Sequence, residues 1–119
     1  MRARGKYGAV PTIVDGIRFA SKAEAHRYQE LRLLAAAGAI RGLKLQPRYK
    51  LFALVIDGCV DGTEVCVYVA DFEYEELFDV DHGTWRLVTE DTKGMETPVF
   101  KLKAKFFAAC YGREVRVTK

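Results

Sequence analysis

One turn-rich stretch, Asp79-Val80-Asp81-His82-Gly83, separates two apolar runs, Val65 to Ala70 and Trp85 to Val88. Nothing else in the chain restricts its folding as much. Apolar runs of β-branched and aromatic residues bounded by turn formers read as strands, and a single turn between two of them folds them into an antiparallel hairpin. A hairpin centred on Asp81 sets Asp71 against Asp91, each ten residues from the centre. Directly opposed Cβ atoms in such a ladder lie about 5 Å apart, where like charges repel. The chain therefore places two carboxylates where a fold alone has no use for them.

A divalent cation supplies the use. A hard ion such as Mg²⁺ binds through one or two carboxylates and keeps waters or substrate phosphate in its other positions. Strand side chains alternate with period two, so in Asp91-Thr92-Lys93 the lysine shares the face of Asp91. A cation holder and an ammonium group aimed at one place are the equipment of metal-assisted phosphodiester hydrolysis.

A chain of 119 residues with 50% hydrophobic content is one domain, residues 1–119, able to bury about 65% of its unfolded surface. Lys and Arg outnumber Asp and Glu by only 19 to 16, but the acids gather between Asp57 and Glu96 while bases fill both ends. Residues 1–8 form a basic arm with Arg2, Arg4 and Lys6; Arg41, Lys44, Arg48 and Lys50 follow, then Lys101, Lys103 and Lys105. This division suits an anionic polymer lying across basic flanks and a central acidic site, and equally suits an ordinary solvated surface. Cys59, Cys66 and Cys110 are odd in number and lack ligand spacing, which points to buried free thiols in a reducing compartment. His26 and His82 have no Cys or His spaced to help them and read as structural. The apolar runs are too short to span a membrane and the basic start leads into no signal core, so the expectation is a cytoplasmic protein without a membrane partner.

Along the chain, Thr12 to Phe19 reads as a hairpin with Asp15-Gly16 as a type I′ turn. Ser21 opens a helix that stops at Gly38. Leu43 to Ile56 reads as one strand, with Pro47 marking an edge or bulge; Val65 to Leu77 and Trp85 to Lys93 are the next two. Pro98 starts a second helix, with Val99, Leu102, Phe106 and Ala109 as its apolar face, ending at Gly112. Glu114 to Thr118 is a last strand. The expected fold is a mixed α/β sheet with helices packed on it.

That order, with Asp71 on the second strand and Asp91-Thr92-Lys93 on the third, resembles the PD-(D/E)XK nuclease superfamily. The resemblance implies a restriction-endonuclease-like core: helix, three strands, helix, strand, behind an N-terminal hairpin. More closely, the chain is similar to a small phage and prophage family listed as a domain of unknown function. The residues behind this match are Lys6-Tyr7-Gly8, Asp15-Gly16 with Phe19, Ser21-Lys22-Ala23-Glu24-Ala25, Leu45-Gln46-Pro47, Ala70-Asp71-Phe72 and Glu90-Asp91-Thr92-Lys93-Gly94. The superfamily's name-giving proline is Ala70 here; it shapes a strand and binds no metal. The superfamily often adds a glutamate from the first helix, and Glu24 fits it. Ser21-Lys22-Ala23-Glu24 is also a capping box, in which Glu24 would reach back to the Ser21 amide; against this, Glu24 heads the stripe Tyr28, Leu31, Ala35 that should face the sheet.

These readings combine into a Mg²⁺- or Mn²⁺-dependent DNA endonuclease acting in phage recombination, replication or packaging, located in the host cytoplasm. Asp71 and Asp91 would hold the metal with the Thr92 carbonyl, Lys93 would orient or deprotonate the attacking water, and Glu24 would position water or a second metal. DNA would meet Arg2, Arg4, Lys6, Lys101, Lys103 and Lys105, with branched or flapped DNA preferred; cutting both strands of a junction would require a homodimer. Lys103 either snorkels from an apolar face or brings a second positive charge to the phosphate. Glu73, on the face of Asp71, and Glu90, on the face opposite Asp91, read mainly as surface or supporting groups; Gln46 has no role its spacing reveals. The other reading is a non-catalytic DNA-binding accessory with a nuclease-like fold.

Overall fold

A computed structural model describes residues 10–53 and 63–119. The basic arm with Arg2, Arg4 and Lys6, and Cys59, lie outside the described residues. Strands β1 (Thr12–Val14) and β2 (Ile17–Phe19) pair antiparallel across Asp15 and Gly16, whose φ values are 52° and 76°. A type I′ turn needs positive φ at both positions, and Asp and Gly tolerate it. Helix α1 (Lys22–Ala36) is capped by Ser21, whose hydroxyl accepts the Glu24 amide at 3.1 Å. At its other end the Gly38 and Ala39 amides donate to the Ala35 and Leu34 carbonyls at 3.1 and 3.0 Å, with Gly38 at φ 81°. Those paired bonds are a Schellman cap, which glycine adopts without steric cost.

The chain then diverges from the expected three strands. Five follow: β3 (Ile40–Leu45), β4 (Arg48–Ala53), β5 (Thr63–Val69), β6 (Phe72–Asp79) and β7 (Thr84–Thr92). The single strands expected over Leu43 to Ile56 and Val65 to Leu77 are each divided, at Gln46-Pro47 and at Ala70-Asp71. The cause is local. Pro47 has no amide to give a ladder, and Gln46 turns to φ 49°. Both divided strands stay hydrogen-bonded through the bend, Gln46 N to Asp71 O at 2.9 Å and Ala70 N to Pro47 O at 3.1 Å. Leu45 opposite Phe72 and Arg48 opposite Val69 keep one register on either side of it. The result is one long hairpin bent across its middle.

Helix α2 (Pro98–Tyr111) and strand β8 (Val115–Thr118) complete the chain. The central sheet has the order β3-β6-β7-β8, antiparallel except for the parallel β7–β8 pair. Its topology is α/β with two helices and a mixed sheet. The alternation of β7 sorts the layers. Val88 packs with Tyr28 and Leu31 of α1, while Thr89 and Asp91 on the other face bond to Tyr49 and Tyr68 of the β4–β5 arm. Phe100 and Phe107 of α2 join that arm in a second cluster with Leu51 and Ala70.

The face of α2 differs in part from expectation: Phe106 packs against the second cluster as expected, but Val99 and Leu102 are each 65% exposed, and Phe100, Ala104, Phe107 and Cys110 turn inward. Apolar residues surround this helix, so periodicity alone did not select a face; burying the stripe with two phenylalanine rings removes more apolar area from water. Among the described residues no helix is long and apolar enough to cross a membrane.

Candidate functional site

The β6–β7 ladder, Phe72 opposite Glu90 through Leu77 opposite Trp85, is centred on Asp81. Asp71 lies one residue beyond the last pair, and its amide donates to the Glu90 carbonyl at 3.2 Å, one residue out of the ladder's register. Its carboxylate Oδ2 accepts the Thr92 amide at 2.8 Å. Asp91, only 1% exposed, lies close enough to Asp71 for each carboxylate to affect the other's charge. Glu24, 6% exposed at the head of α1, lines the same cleft as Asp71. Only the first half of the capping box forms: among the described residues no bond returns from the Glu24 carboxylate to the Ser21 amide. Lys93 sits 3.7 Å from Asp91 Oδ1 and 4.9 Å from the centre of the Phe100 ring.

Three carboxylates and one ammonium share this buried corner, and proton affinities respond accordingly. Burial and the neighbouring Asp71 charge push Asp91 up to about 7, against an opposing hydrogen bond from Tyr68. Asp71 is also raised, by burial first, although its bonds to Asp91 and the Thr92 amide work the other way. Both carboxylates are thus harder to ionise than an ordinary aspartate, because each is buried. Glu24 is raised by burial, with the Asp91 charge adding to it. A cleft of about 760 Å³ opens beside Glu24, Asp71, Thr92 and Lys93, and Ser21, Lys22, Met95 and Phe100 form its other walls.

Among the described residues no group of three or more His, Cys, Asp or Glu side chains forms a ready-made metal cage. Two facing carboxylates with an open cleft still suit a hard ion that keeps its waters. One atom points the same way: among the described residues Asp91 Oδ1 is buried and makes no hydrogen bond, the Lys93 ammonium at 3.7 Å being an ion-pair neighbour too distant to bond it. A buried carboxylate oxygen without a hydrogen bond is costly, and a bound cation would satisfy it. The residues present thus fit Mg²⁺ or Mn²⁺ held by Asp71 and Asp91.

The family model described as protein of unknown function (DUF1064) matches residues 4–119. The chain is a DUF1064 protein. No curated protein and no solved structure matches it.

Other expected residues of this DUF1064 chain lie apart from the carboxylates. Lys101 and Lys105 are exposed on α2. Lys103 is half-buried, its ammonium donating to the Val67 carbonyl at 3.4 Å, so it faces the β4–β5 arm. Glu73 is occupied by Tyr49 at 2.9 Å, with Lys44 at 3.5 Å and Arg113 at 3.7 Å. His26 and His82 are exposed and pair with Glu30 and Asp79. Cys66 and Cys110 are free and half-buried.

Three residues that support the site, Tyr68, Arg27 and Tyr74, do not stand out in the sequence, and Glu90, expected as a surface or supporting group, is a supporting one. Tyr68 donates its hydroxyl to Asp91 Oδ2. Glu90 is fully buried: Arg27 grips it with two bonds of 2.7 and 3.0 Å, and the Tyr74 hydroxyl adds a third at 2.5 Å. This pair ties α1, one turn beyond Glu24, to β7 beside Asp91. The available signal was the helical spacing of Glu24 and Arg27 on one side of α1; for Tyr68 it was its place three residues before Asp71, which means little until the bend is known.

Proposed function

We propose that this DUF1064 chain is a Mg²⁺-dependent endodeoxyribonuclease of the PD-(D/E)XK type, acting on branched or flapped DNA in phage recombination, replication or packaging. The observation that carries the reading is that Glu24, Asp71 and Lys93 line one cleft with Asp91 buried beside them, one of its oxygens making no hydrogen bond among the described residues. Element order supports it. Taken without the β4–β5 arm, the chain runs α1, β3, β6, β7, α2, β8, which is the order the resemblance implies. Asp71 then heads the second strand of the sheet and Asp91-Thr92-Lys93 ends the third.

A bound Mg²⁺ supplies charge stabilisation to the phosphate and lowers the pKa of a bound water. Asp71, Asp91 and the Thr92 carbonyl would hold the ion. The Lys93 ammonium faces the phosphate, where negative charge builds as water attacks phosphorus. Glu24, with a proton affinity above that of an ordinary carboxylate, positions the water and takes its proton. The bond from phosphorus to the leaving sugar oxygen breaks, and that oxygen is protonated from solvent. Lys22 at the cleft mouth and Lys101 and Lys105 on α2 contact phosphates.

The test is cleavage of linear, flapped and four-way DNA with Mg²⁺ or Mn²⁺, with chelator as control. Metal-dependent strand cleavage that Asp91→Ala abolishes is the expected result. DNA binding without cleavage in any metal would replace this reading with that of an accessory protein.

A further inference from the structure

Each of the two facing carboxylates has one oxygen already held by the protein. For Asp71 the holder is the backbone amide of Thr92, which donates to Oδ2 at 2.8 Å. For Asp91 it is a side chain: the Tyr68 hydroxyl donates to Oδ2, across 23 residues of sequence. Tyr68 is 3% exposed. Its ring lies 6.4 Å from that of Phe100, 5.7 Å from that of Phe107 and 6.2 Å from that of Tyr49. A phenylalanine would fill this packing equally well, and a buried hydroxyl is costly unless bonded. The mechanism above makes no use of it. Meanwhile Asp91 Oδ1 makes no hydrogen bond among the described residues and has the Lys93 ammonium 3.7 Å away.

From this geometry we infer that Tyr68 is a positioning residue that holds Asp91 to a single metal-binding oxygen, Oδ1, and so makes the site prefer Mg²⁺ to Ca²⁺. The inference rests on the metal-site reading above and adds its selectivity. Mg²⁺ demands near-octahedral ligands at about 2.0–2.1 Å and takes single carboxylate oxygens with waters, whereas Ca²⁺ accepts six to eight oxygens at about 2.3–2.6 Å and often both oxygens of one carboxylate. A carboxylate pinned at Oδ2 inside an aromatic cluster cannot swing to present both. Thr92 restrains Asp71 likewise, but a backbone amide is not removed by an ordinary substitution. Tyr68 is the handle that mutation can reach.

The experiment is calorimetric titration of Mg²⁺ and of Ca²⁺ into the full chain, into Tyr68→Phe and into Tyr49→Phe. Tyr49 belongs to the same cluster, but its hydroxyl bonds Glu73 and Thr89, so it controls for loss of a buried hydroxyl as such. Removing a group that orients a metal ligand typically costs about 10- to 100-fold in affinity. Tyr68→Phe should lose that much for Mg²⁺ and markedly less for Ca²⁺, and Tyr49→Phe should keep the parent's ratio. Equal changes for both ions, or none, in a cooperatively melting Tyr68→Phe would overturn the inference while leaving the metal site in place. A parent that binds neither ion would overturn the metal-site reading and this inference with it. Should Tyr68→Phe fail to melt cooperatively, the Tyr68 ring resonances of the parent give the second reading, because Mg²⁺ must shift them, and a ring indifferent to Mg²⁺ is incompatible with the proposed contact.

Discussion

Asp91 is charged for its work and buried for its position, and the two conflict. Its folded-state value of about 7 lies above the ordinary 3.8, so the folded protein keeps a proton that the unfolded chain releases. Stability from this group is complete below about pH 4 and is lost as pH rises through about 7. Glu24 and Asp71 shift in the same direction. Glu76, lowered to about 2 chiefly by its bonds to Arg116, acts oppositely but only in a more acidic window. Metal-free protein should therefore melt at lower temperature at about pH 8 than at about pH 5.5, and Mg²⁺ should restore the difference by taking the proton's place. Calorimetric melts in chelator and in Mg²⁺ at the two pH values check this. Asp91→Asn keeps an acceptor for Tyr68 and removes the charge. It should abolish cleavage yet raise the metal-free melting temperature at about pH 8 by a few degrees, with little gain at about pH 5.5; a parent-like melt at both pH values would show that the facing charges cost nothing.

The elements whose ends depend on local chemistry could be read directly. The Asp15-Gly16 turn, the Ser21 cap, the Gly38 stop and the Pro98 start each need only a few adjacent residues. Asp71, Asp91 and Lys93 were legible for a related reason: one turn centre and period two suffice to bring them together. The bend was not, because it appears only when Gln46-Pro47 on one strand meets Ala70-Asp71 on the other, and no single window contains both. Tyr68 was hidden by that same bend, and the Arg27–Glu90 clamp depends on how α1 docks on the sheet. Gln46, without a role in the sequence, holds the turn with its φ of 49°. A non-glycine residue pays about 1 kcal/mol or more for that conformation. Gln46→Gly should accordingly raise or hold the melting temperature, and Gln46→Val, branched at Cβ, should lower it by several degrees. The reverse order in thermal melts would mean that the glutamine side chain, rather than the backbone angle, secures the bend.

At the scale of the whole molecule the question is where DNA lies. The basic stretch from Arg41 to Lys50 is less available than its composition suggests. Arg41 pairs with Glu75, Lys44 with Glu73 and Lys50 with Glu64, and Arg41 also stacks over Trp85 at 4.0 Å. Exposed pairs of this kind are worth little to stability, yet they cancel charge that a phosphate would otherwise meet. Lys22, Lys101 and Lys105 form no ion pair among the described residues, and Lys22 lines the cleft. With the chain largely consumed by its sheets and two helices, few loops remain to read base edges in a groove. On the proposed reading contacts would go to phosphates, which position DNA without specifying sequence, so selectivity would come from the shape of the substrate. Each phosphate contact contributes about 0.9 to the slope of log affinity against log salt. Replacing Lys101 or Lys105 by Ala should weaken binding to every DNA alike and reduce that slope by about one, whereas Arg41→Ala should leave it unchanged. Branched or flapped DNA should outcompete linear duplex of equal length in the same filter-binding or anisotropy measurement. Equal competition by linear duplex, or cleavage confined to one short sequence, would move recognition from the phosphates of a branched substrate to the bases of an ordinary one.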